Sequence, residues 1–203
     1  MAKPPVRIPV ANPHKLFTTC ESYRFTAALL LEQWQTGKAI YVFSYIGIDA
    51  FCLELFLKCV DAARTGSHLK GHSLIELFEA LEQRDQDSVE SHFDVQSKGT
   101  QNHRPLREIL TNCSSLFEDV RYWYEGKLRP AHMNLIYPIT ALRKRVLEIQ
   151  PSWTPKRNLA EPTYFQHGTL PKASWIGATL PLNTQSPSPQ SHGSTMPLGS
   201  QSK

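Results

Sequence analysis

The chain of 203 residues contains no apolar run long enough to cross a membrane. Its greasiest stretch, residues 39–60, is broken by Asp49, Glu54 and Lys58, whereas a helical span needs about 20 nearly uninterrupted apolar residues. The opening Met1-Ala2-Lys3-Pro4-Pro5 lacks the apolar core of a secretory leader. A cytoplasmic protein with no membrane contact is the expectation. Cysteine is sparse. Cys20, Cys52, Cys59 and Cys113 form no Cys-x-x-Cys pair, and none stands at metal-ligand spacing from a histidine. That pattern argues against zinc and for buried free thiols in a reducing compartment. Glycine-rich phosphate loops, Ser/His/Asp triads and catalytically spaced carboxylate pairs are also missing, so no metal or cofactor is implied.

Acidic residues are nearly absent from one region. Residues 151–203 hold Glu161 against Lys156, Arg157, Lys172 and Lys203, with eight prolines and eight serines. Such a segment buries too little apolar area to offset its ordering entropy, and it reads as a mostly disordered tail. Trp153, Tyr164, Phe165, Trp175 and Ile176 are its only residues suited to docking. The first 150 residues carry a net charge of about +1, short of the basic footprint of a nucleic-acid-binding domain. Residues 1–17, with Pro4, Pro5, Pro9 and Pro13, read as an extended N-terminal arm.

What remains, residues 18–150, has helical periodicity throughout and no convincing alternating strand. Thr18-x-x-Glu21, Ser73-x-x-Glu76 and Ser115-x-x-Glu118 match the capping box, in which a hydroxyl and a carboxylate satisfy each other's backbone N–H groups. The spacing predicts helices over 19–36, 39–64, 74–84, 87–96, 105–112, 116–127 and 138–149. Gly37 and Gly66 would close the first two, and Pro105 would open the fifth. The fold class is all-α, an antiparallel bundle of four to five main helices. The second helix is apolar nearly all round, from Phe43 and Ile46 to Leu57 and Val60, and so is predicted to be its buried centre. Its polar exceptions, Gly47, Glu54, Lys58 and Asp61, fall on one stripe. In the last helix Ile139, Leu142, Val146 and Ile149 face the core, and Arg143, Lys144 and Arg145 are expected on a basic outer surface.

The densest polar-aromatic segment is Phe117-Glu118-Asp119-Val120-Arg121-Tyr122-Trp123-Tyr124-Glu125. With Glu54-x-x-x-Lys58 on the long second helix and the helix start His72-Ser73-Leu74, it resembles the HEPN superfamily (higher eukaryotes and prokaryotes nucleotide-binding domain) across roughly residues 19–150. The resemblance implies a helical bundle, often a twofold homodimer, with a polar groove drawn from Glu54, Lys58, His72, Arg121, Tyr122 and Glu125. It also implies a charged seam that sets Arg121 against Glu54.

Nucleases of that family pair an arginine with a histidine four to six residues on. Arginine stabilises the anionic phosphorane, and histidine moves the proton. Here Glu125 stands four after Arg121, and the next histidine is His132, beyond Pro130. The resemblance therefore implies the scaffold without its metal-independent RNA cleavage. The expectation is a non-catalytic protein that binds RNA, a nucleotide or a protein partner, in a toxin–antitoxin or phage-defence setting. One competing reading is a divergent endoribonuclease using Arg121 with Glu125 or His132. Another is a helical adaptor whose tail recruits a partner. For each polar residue the plain alternative is structural. Arg121 and Glu125 lie one turn apart and suit an ion pair, Glu54 and Lys58 likewise, and His72 stands just before a helix N-cap.

Overall fold

The computed structural model describes residues 6–37, 41–100, 103–114, 116–121 and 135–155, without the side chains of Val42, Glu118, Asp119 and Arg121. In chain order these form β1 (Arg7–Pro9), α1 (Pro13–Gln35), α2 (Val42–Thr65), β2 (Ser67–Leu69), α3 (Leu74–Glu79), α4 (Gln83–Ser97), α5 (Leu106–Asn112), α6 (Leu116–Arg121) and α7 (Ile136–Ile149). A short 3-10 turn, Pro151–Trp153, follows. The fold is all-α apart from the two short strands, as the periodicity predicts. Among the described residues no helix is long and apolar enough to cross a membrane.

The apolar circumference of α2 makes it the hub. Leu53, Phe56, Leu57, Cys59 and Val60 are wholly buried, and each large apolar side chain so buried contributes about 1.5–3 kcal/mol. α1 returns antiparallel along it: Phe17 meets Phe56 edge-on, Tyr23 meets Phe51, and Trp34 meets Tyr45. α7 covers another side of α2 and also packs on α4. α6 crosses near the start of α2, where Phe117 lies against Phe51 and Val120 Cγ1 would stand 3.3 Å from a Cβ on Gly47. All four cysteines are free thiols in this core. Burial pushes the thiols of Cys20 and Cys52 well up from their ordinary range, which makes them poor nucleophiles.

Several expected boundaries move. α1 begins at Pro13, not 19. Asn12 is its N-cap, accepting from Lys15 N–H at 3.0 Å, and Pro13 occupies the first turn. Thr18 lies inside the helix, where its hydroxyl donates to the His14 carbonyl, so its match to the capping box is coincidental. The cap at Ser73 forms as read, accepting from Glu76 N–H. The helix it opens stops at Glu79, because the Gln86 side-chain amide donates to the carbonyls of Glu79 and Leu81 and ends it. α4 consequently starts at Gln83 rather than 87. α2 ends where Gly66 adopts φ 73°, a left-handed conformation that closes helices and favours glycine.

The expectation of no strand is also corrected. β1 pairs antiparallel with β2, Arg7 opposite Leu69 and Pro9 opposite Ser67. Three-residue strands are too short to show alternation. Asp61 secures the pair to α2: its carboxylate accepts from the Arg7 guanidinium and from Leu69 N–H at 3.3 Å. Beyond α7, Trp153 seats against His14 and Phe17. Ser115 with its capping box, residues 122–134 and residues 156–203, including Tyr164, Phe165, Trp175 and Ile176, lie outside the described residues.

Candidate functional site

The polar stripe of α2 resolves into separate attachments. Glu54, one turn before Lys58, has an almost fully buried carboxylate. Its Oε1 accepts from Lys58 Nζ at 2.6 Å and from His72 Nδ1 at 3.0 Å. Since a carboxylate only accepts, His72 Nδ1 is the donor of this contact. The ring itself is 71% exposed, positioned by Ser73, which caps α3 directly after it. Gly47 serves a different purpose, close approach of α6, and Asp61 holds the two strands. Glu54, Lys58 and His72 are thus brought together.

Arg121 is the last residue of α6 for which a backbone is described, and its side chain is outside the described set, as are Tyr122, Glu125 and His132. The register of α6 on α2 can still be read. Phe117 meets Phe51 and Val120 meets Gly47, so α6 runs away from Glu54. Seven residues separate Gly47 from Glu54, about 10 Å of helix axis. The Arg121 guanidinium, and with it the expected seam against Glu54, lies outside the described side chains. The partners found for Glu54 are Lys58 and His72.

Beside Glu54 lies a small notch of about 10 Å³, the room of one water-sized group. It is lined by Glu54, by the apolar Ala50, Leu74, Cys113 and Phe117, and by His72 and Ser114. Ser114 is satisfied internally, donating to the Leu110 carbonyl at 2.8 Å.

The basic trio of α7 divides, contrary to the expected outer surface. Arg143 bonds Glu21 on α1 at 2.9 Å, a carboxylate also held by Arg24. Arg145 reaches Asp85 on α4 at 2.6 Å and Glu148 at 2.8 Å. Only Lys144 of the three is exposed. The long arginine stems let their heads swing to neighbouring helices, which helical phase alone does not reveal.

Asp85 is the main residue that sequence reasoning missed. Its side chain is 1% exposed and accepts from Arg64 of α2 as well as from Arg145. Burial works against its ionised form, but the hydrogen bonds from both guanidiniums outweigh burial and hold the carboxyl below its usual range. Next to it, Glu148 accepts from His92 Nε2 at 2.6 Å and from the Ser88 hydroxyl at 3.1 Å. Both contacts reach the same imidazole edge, since Ser88 also lies 3.3 Å from His92 Nε2, so the trio lacks the relay order of a nucleophilic triad. No local spacing announces this cluster, because its α4 and α7 members are about 60 residues apart.

Asp49 interrupts the apolar run of α2. It is sealed in the fold, its Oδ2 has no hydrogen-bond partner among the described residues, and burial drives its pKa up to about 7, with a Tyr45 hydrogen bond opposing. Among the described residues no three His, Cys, Asp or Glu side chains converge on a point where a metal ion would sit. Compared with known proteins, the chain matches no family model, no curated protein and no solved structure.

Proposed function

We propose that this chain is a HEPN-like helical protein without nuclease chemistry that acts by binding a protein partner. The observation carrying this reading is the internal use of its charges. The carboxylate of Glu54 is taken up by Lys58 and His72, and the guanidiniums of Arg64, Arg143 and Arg145 are turned onto Asp85, Glu21 and Glu148. Side chains spent on intramolecular pairs are poor phosphate contacts, and the near-neutral helical region agrees. A homodimer in a toxin–antitoxin or phage-defence setting is the context that the resemblance supplies.

The test compares two ligands of the full chain. Fluorescence anisotropy with mixed-sequence RNA, over a salt series, should give weak binding. Affinity purification of the tagged chain should retain a stoichiometric protein partner at raised salt. Tight RNA binding that falls steeply with salt would replace the protein reading with an RNA-binding one.

A further inference from the structure

We propose that the seat which β2 and Asp61 form for the N-terminal arm is a binding site for an extended, arginine-bearing segment of the partner protein, which enters by displacing the arm. The inference rests on the protein-binding reading and specifies what that partner presents. The seat has an occupant on the page, the chain's own residues 6–10. Lys70 N–H donates to the Val6 carbonyl and Val10 N–H to the Gly66 carbonyl, each at 2.8 Å. Ile8 stands opposite His68 between them. Arg7 supplies the side-chain anchor. Its guanidinium donates to Asp61 Oδ1, to the Ser67 hydroxyl at 3.1 Å, to the Thr65 hydroxyl at 3.2 Å and to the Ser67 carbonyl at 3.4 Å. Acceptors spread over Nε and Nη2 fit a planar guanidinium, which the point charge of a lysine does not span.

The seat is built in, whereas the arm lies on the surface. Asp61 belongs to α2 and is 6% exposed. Its Oδ2 also accepts from Leu69 N–H at 3.3 Å, and Ser67 N–H donates to the Thr65 hydroxyl at 3.2 Å. One edge of β2 is thereby satisfied from α2, and its other edge is the one beneath the arm. Arg7, Ile8 and Pro9 are all exposed, and Val6 is 52% exposed, so little buried apolar area opposes release of the arm. Release frees the Gly66 carbonyl, the Lys70 N–H and the Asp61 carboxylate at an open strand edge. Such edges take up extended peptides by strand addition. The outer edge of β1 is not equivalent. Val10 N–H faces β2, so the Pro9 nitrogen faces outward and offers no donor there.

The experiment uses the full chain and a fluorescein-labelled peptide of residues 4–11, followed by fluorescence anisotropy. In Arg7→Ala the arm loses its anchor and the seat stays complete, so saturable binding of the peptide is expected. Wild type should bind it at least about tenfold more weakly, because the tethered arm competes. Alanine in place of the peptide's arginine should weaken binding about tenfold or more, the loss of charge-assisted hydrogen bonds, and lysine there should not restore it. Asp61→Asn, added to Arg7→Ala, should remove the discrimination among the three peptides. Amide exchange of the wild type needs no variant: Val10 and Lys70 N–H should exchange far faster than Val60 N–H in the core of α2. Protection of those two amides equal to that of Val60, no saturable binding to Arg7→Ala, or equal binding of the arginine and alanine peptides would each overturn the site. A dimer that Arg7→Ala dissolves would assign the seat to the arm of a second copy instead. The peptide carries the chain's own sequence, so its failure leaves the protein-partner reading standing. Failure to find a protein partner would not alter its result.

Discussion

Asp85 and Arg145 lie 60 residues apart in sequence and meet at 2.6 Å, joining α4 to α7 with Arg64 of α2 on the same carboxylate. Three helices are therefore fixed by one buried side chain. Asp85→Ala would leave Arg64 without its carboxylate and Arg145 with Glu148 alone. Removing one partner of a buried pair costs about 3–5 kcal/mol, and urea unfolding of the variant should show a loss in that range. Arg145→Ala alone should cost less, because Arg64 still neutralises Asp85. The pH sign follows from the lowered carboxyl. Asp85 contributes its full stability above the ordinary carboxylate range, and loses it as pH falls toward the lowered folded value.

Asp49 works in the opposite direction. Its folded pKa of about 7 lies above that of an unfolded aspartate, so the folded state holds the proton more tightly. Its contribution is most favourable in acid and declines as pH rises toward about 7, where ionisation inside the core becomes the cost. The upper bound on that decline is roughly 4 kcal/mol. Asp49→Asn keeps the shape and removes the titration. Thermal melts should show the variant more stable than the wild type at pH 8 and no better at pH 4. A wild-type melting temperature unaffected by the exchange at both values would contradict the buried-proton account.

Gly47 tests the approach of α6. Leucine there would drive its side chain into Val120, whose Cγ1 stands 3.3 Å from an ideal Cβ. Overpacking of this kind costs about 1–3 kcal/mol. Val120→Ala in the same chain should recover part of the loss, measurable as a coupling energy in a double-mutant cycle. Simple additivity would mean that the two residues do not share the contact.

How much of this was legible in the sequence depends on the range of the interaction. The central helix was read to within a few residues, because its apolar circumference and Gly66 are local signals. The Glu54–Lys58–His72 group was legible too, since one contact is a helical turn and the other follows from a helix start. α1 was misjudged because two cap signals competed, and Asn12-Pro13 outcompeted Thr18-x-x-Glu21. The strands were missed because their stability comes from Arg7 reaching Asp61, not from any pattern within three residues. The arginines of α7 were assigned to the surface because phase gives the direction of a Cβ, while a guanidinium several bonds away chooses its own partner. Asp85 was invisible for the same reason.

The most direct test of the central claim, that the charges serve the fold and a protein partner rather than RNA cleavage, is an RNA integrity assay. Purified full-length chain is incubated with structured and single-stranded RNAs beside the Arg121→Ala variant, and the products are resolved by gel. The account predicts intact RNA with both proteins. Cleavage by the wild type that Arg121→Ala abolishes, with the fold retained by circular dichroism, would contradict it.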